Sequence, residues 1–206
     1  QAGGTWLGLS EQGRFAAVTN YRDPAQQANY PHSRGALPSD FLTGKLSAED
    51  YLATIDRQHD QFAGFNLLLG SVANLFFYSN QQRSIMRLSP GIYGLSNGRL
   101  DEAWPKVIDG KKQLATIIEA GCHTDQVIRL LNDRTLAEDD VLPSTGIDVG
   151  MEKILSAKFI DTETYGTRSS TVITVDDQQH LCFTEQSYDA AGQHMERESF
   201  QFNLQD

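Results

Sequence analysis

The sequence predicts an α+β fold of two antiparallel sheets flanked by helices, contained in one domain spanning residues 1–206. Three observations carry the expectation. Short β-rich runs follow one another with polar turns too short for crossover helices. Helical periodicity is confined to segments between those runs. No strand is followed by the glycine-rich turn of a doubly wound parallel sheet.

Element by element, Thr5–Ser10 and Phe15–Asn20 are apolar-rich runs separated by Glu11-Gln12-Gly13-Arg14, a hairpin with glycine where the turn needs positive φ. Tyr21–Asp40 holds Pro24, Pro31, Gly35 and Pro38 and is expected to be a long loop. Ser47-Ala48-Glu49-Asp50 has the form of a capping box. Tyr51, Leu52, Ile55, His59 and Phe62 follow at helical spacing, so a helix is expected from Ala48 to Phe62, ended by Gly64. Phe65–Val72, Leu75–Ser79 and Ser84–Leu88 form a meander.

A further helix is expected from about Trp104 to Ala120, striped by Val107, Leu114, Ile117 and Ile118 and broken or kinked at Gly110. Asp125–Asn132 and Met151–Ser156 are two more, divided by an acidic loop with Pro143 and Gly146. The end of the chain predicts four strands: Ala157–Asp161, Thr167–Asp176, His180–Gln186 and Met195–Phe202.

Composition narrows the function classes. Seventeen Lys and Arg against 27 Asp and Glu give a net charge of −10, a field that repels nucleic acid unless a basic patch reverses it. Lys111-Lys112 is the only adjacent basic pair, and it reads as a solvated helix face. No apolar run reaches membrane-spanning length, so no membrane partner is expected. Only Cys122 and Cys182 are present, too few for a disulfide framework; a reducing, cytoplasmic setting is expected. Cys122-His123 lacks further ligands at metal-binding spacing, and neither metal nor cofactor is expected.

Five segments then carry a resemblance: Gly3-Gly4-Thr5-Trp6-Leu7-Gly8, Thr19-Asn20-Tyr21-Arg22-Asp23-Pro24, Gly64-Phe65-Asn66-Leu67-Leu68, Tyr93-Gly94-Leu95-Ser96-Asn97-Gly98 and Tyr165-Gly166-Thr167-Arg168-Ser169-Ser170-Thr171. In this order they resemble the motifs of the NRDE family, of transport and Golgi organisation protein 2 type, over essentially the whole chain. The resemblance implies an N-terminal-nucleophile (Ntn)-hydrolase-like four-layer αββα sandwich, similar in layout to bile-salt and penicillin V amidases. Members of that family begin with Met-Cys and carry an Asn-Arg-Asp-Glu signature ahead of the point matching Gly3. The expectation is therefore a domain lacking its N-terminal strands and its nucleophile, and inactive by itself.

What the resemblance implies for residues is a small-molecule amidase site. Asn20 and Asn97 resemble the oxyanion and substrate asparagines, and Arg168 the arginine that approaches the nucleophile and favours its thiolate. Read without the family, asparagine at a strand end or beside glycine is a turn former. Arg168, in a hydroxyl-rich strand-like run, is expected to meet a carboxylate or line a cleft. Tyr21 and Arg22 open the long loop and are candidates for a pocket mouth, with turn capping the alternative for Arg22. Trp6 is a candidate substrate contact, with a place in the core the alternative.

His180 and Cys182 share a strand face, but no third group orienting a cysteine–histidine dyad is evident. The second function class is a non-catalytic carrier of a small molecule or haem. His32 is the axial-ligand candidate for that class and a solvated loop histidine its alternative.

Overall fold

The computed structural model describes residues 3–25 and 29–204. They fall into two compact units, one gathering the chain to Gly91 with Leu95–Leu100, the other Ile92–Gly94 with Asp101–Leu204. Each holds one antiparallel sheet with helices, which makes the chain α+β with sheets of five and three strands. Among the described residues no helix is long and apolar enough to cross a membrane.

In the first unit the strands β1 (Leu7–Leu9), β2 (Arg14–Asn20), β3 (Phe65–Ser71), β4 (Asn74–Ser79) and β5 (Ser84–Arg87) lie side by side in chain order. The first hairpin closes where expected, Leu7 opposite Ala17, with Gly13 at φ +74° in its turn. Between β2 and β3 the chain forms α1 (Ala36–Thr43), α2 (Ala48–Arg57) and a 3₁₀ turn over His59–Gln61.

Period-two alternation then builds the core. Ala16 and Val18 of β2, Phe65, Leu67 and Leu69 of β3, and Phe76 and Tyr78 of β4 all turn to one face. Leu37 and Phe41 of α1 and Tyr51, Leu52 and Ile55 of α2 join that cluster. Burying each large side chain is worth about 1.5–3 kcal/mol. The phenol groups stay bonded: Tyr51 donates to the Leu37 carbonyl at 2.8 Å and Tyr78 to Asp56 at 3.0 Å.

Two expectations for this unit are corrected. The long loop stops at Gly35, because Pro38 sits in the first turn of α1, where no backbone N–H is required. Helix α2 ends at Arg57 rather than Phe62, its apolar spacing continuing through the 3₁₀ turn. Its start is as expected, with the Ser47 hydroxyl oxygen accepting the Asp50 N–H at 3.0 Å.

In the second unit, β6 (Ser169–Val175), β7 (His180–Tyr188) and β8 (His194–Asn203) form the smaller sheet, accompanied by α3 (Pro105–Glu119), α4 (Thr124–Leu131) and α5 (Val149–Ile154). Asp176 and Asp189 make the two turns by accepting backbone N–H groups on their own side chains. Ala157–Asp161 is not the fourth strand expected. Among the described residues its β-bridging is confined to Asp161 with Gly166, with Phe159 buried against Tyr188, ring centroids 4.8 Å apart, and Lys158 drawn inward.

Lys158 is nearly buried and bridges Asp109 (2.5 Å) and Asp133 (2.7 Å). Burial opposes its charge, but the two carboxylate hydrogen bonds outweigh burial and hold its pKa above the ordinary lysine value. The same bond from Lys158, helped by Thr135, pulls Asp133 down to about 2. Asp109 also accepts from Gln113 one turn on. This network brackets Gly110, and α3 runs through that residue without the break its propensity predicted.

A Cβ added at Gly110 would meet nothing closer than the Lys158 Cδ, at 3.9 Å. Gly110→Ala is therefore expected to stabilise the protein by about 0.5–1 kcal/mol, read as a higher urea midpoint with unchanged slope. A lower midpoint would show that α3 needs glycine there.

Candidate functional site

The sheet of the first unit has a second face, and it carries polar side chains in register. Thr19 of β2, Asn66 of β3 and Ser79 of β4 are consecutive cross-strand partners. Asn66 is completely buried in a strand otherwise rich in leucine. Its amide Nδ2 donates to the Gly98 carbonyl at 2.8 Å and the Thr19 hydroxyl oxygen at 3.3 Å, and Thr19 in turn donates to the Ser96 carbonyl at 3.0 Å. Asn66 Oδ1 has no partner among the described residues.

The loop pinned in this way returns the contact. Asn97 Nδ2 donates to the Asn20 carbonyl at 3.0 Å, and the Arg22 backbone N–H donates to the Asn97 carbonyl at 2.6 Å. Tyr21 N–H donates to the Gly64 carbonyl at 2.9 Å. Asn20 and Asn97, 77 residues apart, are thus neighbours at the end of β2. The asparagines differ in freedom. Asn97 is half-buried with one amide hydrogen committed, whereas the Asn20 side chain is exposed and makes no hydrogen bond among the described residues. An amide NH₂ carries two donors, so both residues keep donor capacity.

A further cation stands at the same strand end. Arg34 donates to the Gly64 carbonyl at 3.0 Å, and its guanidinium lies 5.9 Å from the Trp6 ring centroid, within cation–π range. Burial lowers its pKa from the ordinary arginine value, and no carboxylate lies within 4 Å of it among the described residues. Trp6 is 53% exposed, which overturns its place in the core. It precedes a short edge strand and has Arg34 over its ring. Gly4 makes this possible, since a Cβ there would lie 2.4 Å from the Gly35 carbonyl carbon. Sequence reasoning missed Asn66, Thr19 and Arg34. The available signal for Asn66 was an amide interrupting the apolar run of β3.

These contacts join segments that sequence separates by dozens of residues. A family model described as Transport and Golgi organisation 2 matches residues 1–190. The chain belongs to the Transport and Golgi organisation 2 family. Among similar proteins, the mouse Transport and Golgi organization 2 homolog is 33% identical over 221 residues, covering 100% of this chain and 80% of the relative. The human homolog is 34% identical over 219 residues, covering 98% and 79%, and the bovine homolog 35% over 201 residues, covering 90% and 72%.

Other candidates of this Transport and Golgi organisation 2 family member lie elsewhere in the chain. Arg168 belongs to the second unit, just ahead of β6. It is exposed, with no carboxylate within 4 Å among the described residues, and lines a small cavity of about 100 Å³ with the Asp161–Thr167 turn and Asp189. Its carbonyl accepts the Tyr188 N–H at 2.8 Å. His32 is exposed with its ring 5.4 Å from Phe62, and no cluster of three metal-ligating side chains exists among the described residues. His180 does have an orienting group that the sequence did not reveal. Its Nδ1 lies 2.9 Å from Asp176 Oδ2.

Asn66→Ala is expected to cost about 1–3 kcal/mol, the price of buried groups left without partners. Amide hydrogen exchange at Arg22 and across 95–98 should accelerate. Unchanged exchange there would show that Asn66 does not hold the loop.

Proposed function

We propose that the corner made by Asn20 and Asn97 is the carbonyl-binding wall of an Ntn-type hydrolase acting on non-peptide amide C–N bonds, with a cysteine thiol as nucleophile. The observation that carries the reading is the free, exposed amide of Asn20 beside the half-buried amide of Asn97, on a strand end held by buried Asn66. Attack of a thiolate on an amide carbonyl places negative charge on the carbonyl oxygen, and pre-positioned N–H donors stabilise that charge without reorganising. An exposed asparagine amide at the end of β2 beside a loop asparagine suits that task, and Trp6 with Arg34 offers an apolar ring and a cation to the remainder of a substrate. The thiolate-favouring role of Arg168 and the terminal cysteine itself rest on the family resemblance.

A carrier function is the second reading. It is favoured by an open cleft of about 820 Å³ in the second unit, lined in part by Ile173, Val175, Leu181 and Phe202. Free Cys122 and Cys182 suit a reducing, cytoplasmic compartment under either reading.

The test is an amidase assay of a family protein that begins with a cysteine, beside its variant with that cysteine replaced by alanine. The cysteine-bearing protein is expected to turn over amide substrate, the alanine variant to be inactive, and alanine at the position matching Asn20 to lower kcat about 10²–10³-fold with little change in KM. Equal turnover with and without the cysteine, or binding without turnover by the cysteine-bearing protein, contradicts the hydrolase reading, and the latter supports the carrier.

A further inference from the structure

The two cysteines of the chain stand sixty residues apart, one in the turn between α3 and α4, the other in β7. The fold brings both to one place. Cys122 and Cys182 line the same open cleft of about 820 Å³, together with His180, Asp176 and Gln201, and both are half-buried free thiols.

Each thiol has features beyond co-location. Cys122 has φ +51°, a left-handed conformation that favours glycine or asparagine over other side chains. Its N–H closes the end of α3 on the Ile117 carbonyl at 2.8 Å, so the turn fixes where the thiol emerges. Cys182 faces hydrogen-bonding groups: Gln201 Nε2 lies 3.9 Å and Thr184 Oγ1 3.6 Å from its sulfur, donors that suit a sulfur bearing negative charge. His180, two residues away on the same strand face, has its Nδ1 occupied by Asp176 and its Nε2 left for the cleft.

We propose that Cys122 and Cys182 are a reactive thiol pair, and that the cleft accepts small-molecule disulfides and reduces them while closing to an intramolecular disulfide. In the first step the Cys182 thiolate attacks one sulfur of the disulfide. A protein–ligand S–S bond forms, the ligand's S–S bond breaks, and one ligand thiolate leaves with the electron pair and takes a proton from solvent. In the second step the Cys122 thiolate attacks Cys182 Sγ and expels the second ligand thiol. Two protein thiols are oxidised and one disulfide is reduced to two thiols. Closure requires the α3–α4 turn to set the two Cα atoms within about 7 Å. This chemistry is independent of the corner in the first unit.

The experiment treats the native 206-residue chain with oxidised glutathione at neutral pH, quenches with acid and reads intact mass and peptide map. The wild-type chain is expected to finish two hydrogens lighter, free of glutathione, with Cys122 linked to Cys182. Cys122→Ser should finish with one glutathione retained on Cys182, because the resolving thiol is gone. Stable glutathione on either cysteine of the wild type would overturn the proposal. So would a wild-type chain whose thiols stay unreacted when native and react only after denaturation.

Discussion

One buried amide governs the candidate site. Asn66 sits in the middle sheet strand with no exposed surface, where an amide without partners costs several times what a hydrogen bond contributes. Its Nδ2 is satisfied only because the Gly98 carbonyl comes down onto the sheet and Thr19 turns its hydroxyl inward. Moving the 95–98 loop away would orphan these groups together, so the loop stays. From that follow the contact of Asn97 with Asn20 and the direction in which the chain leaves β2 at Tyr21 and Arg22.

The rest of the first unit supplies a rigid platform for this tie. Helices α1 and α2 pack on one face of the sheet, and the alternation that turns Leu67 and Leu69 toward them turns Asn66 and Leu68 away. Asn80 locks the neighbouring strand ends, accepting the Phe65 N–H at 2.8 Å and donating to the His59 carbonyl at 3.1 Å. Asn20 is held by backbone pairing and the Asn97 loop by its ties to Asn66 and Thr19, the condition under which donor groups stabilise a developing charge efficiently.

Much of this was legible in the sequence where local rules act alone. The hairpin at Gly13, the capped start of α2, the central meander and the final three strands follow from turn chemistry and period-two alternation. Expectations failed where tertiary contacts overrode propensity. Pro38 suggested loop but fits a first helical turn. Gly110 suggested a break, yet Asp109, Gln113 and Lys158 hold α3 across it. Ala157–Asp161 has strand composition, but burial of Phe159 and Lys158 holds it against the second unit's core instead. For the site, the family motifs pointed to Asn20 and Asn97. The tie through Asn66 and the Arg34–Trp6 pair stayed hidden because each depends on a partner more than twenty residues away.

Whether the exposed corner beside Asn66 receives a carbonyl oxygen is measured most directly by a crystal structure of a family protein that begins with a cysteine, reacted with a peptide-free amide-mimicking aldehyde. Attack by its thiol generates a tetrahedral carbon with an oxygen in the position of the reaction's oxyanion. The account predicts that oxygen within about 3 Å of the Asn20 or Asn97 side-chain nitrogen, with Asn66 still bonded to Gly98. An adduct whose oxygen faces water or another part of the protein, with both asparagine amides unengaged, would contradict it.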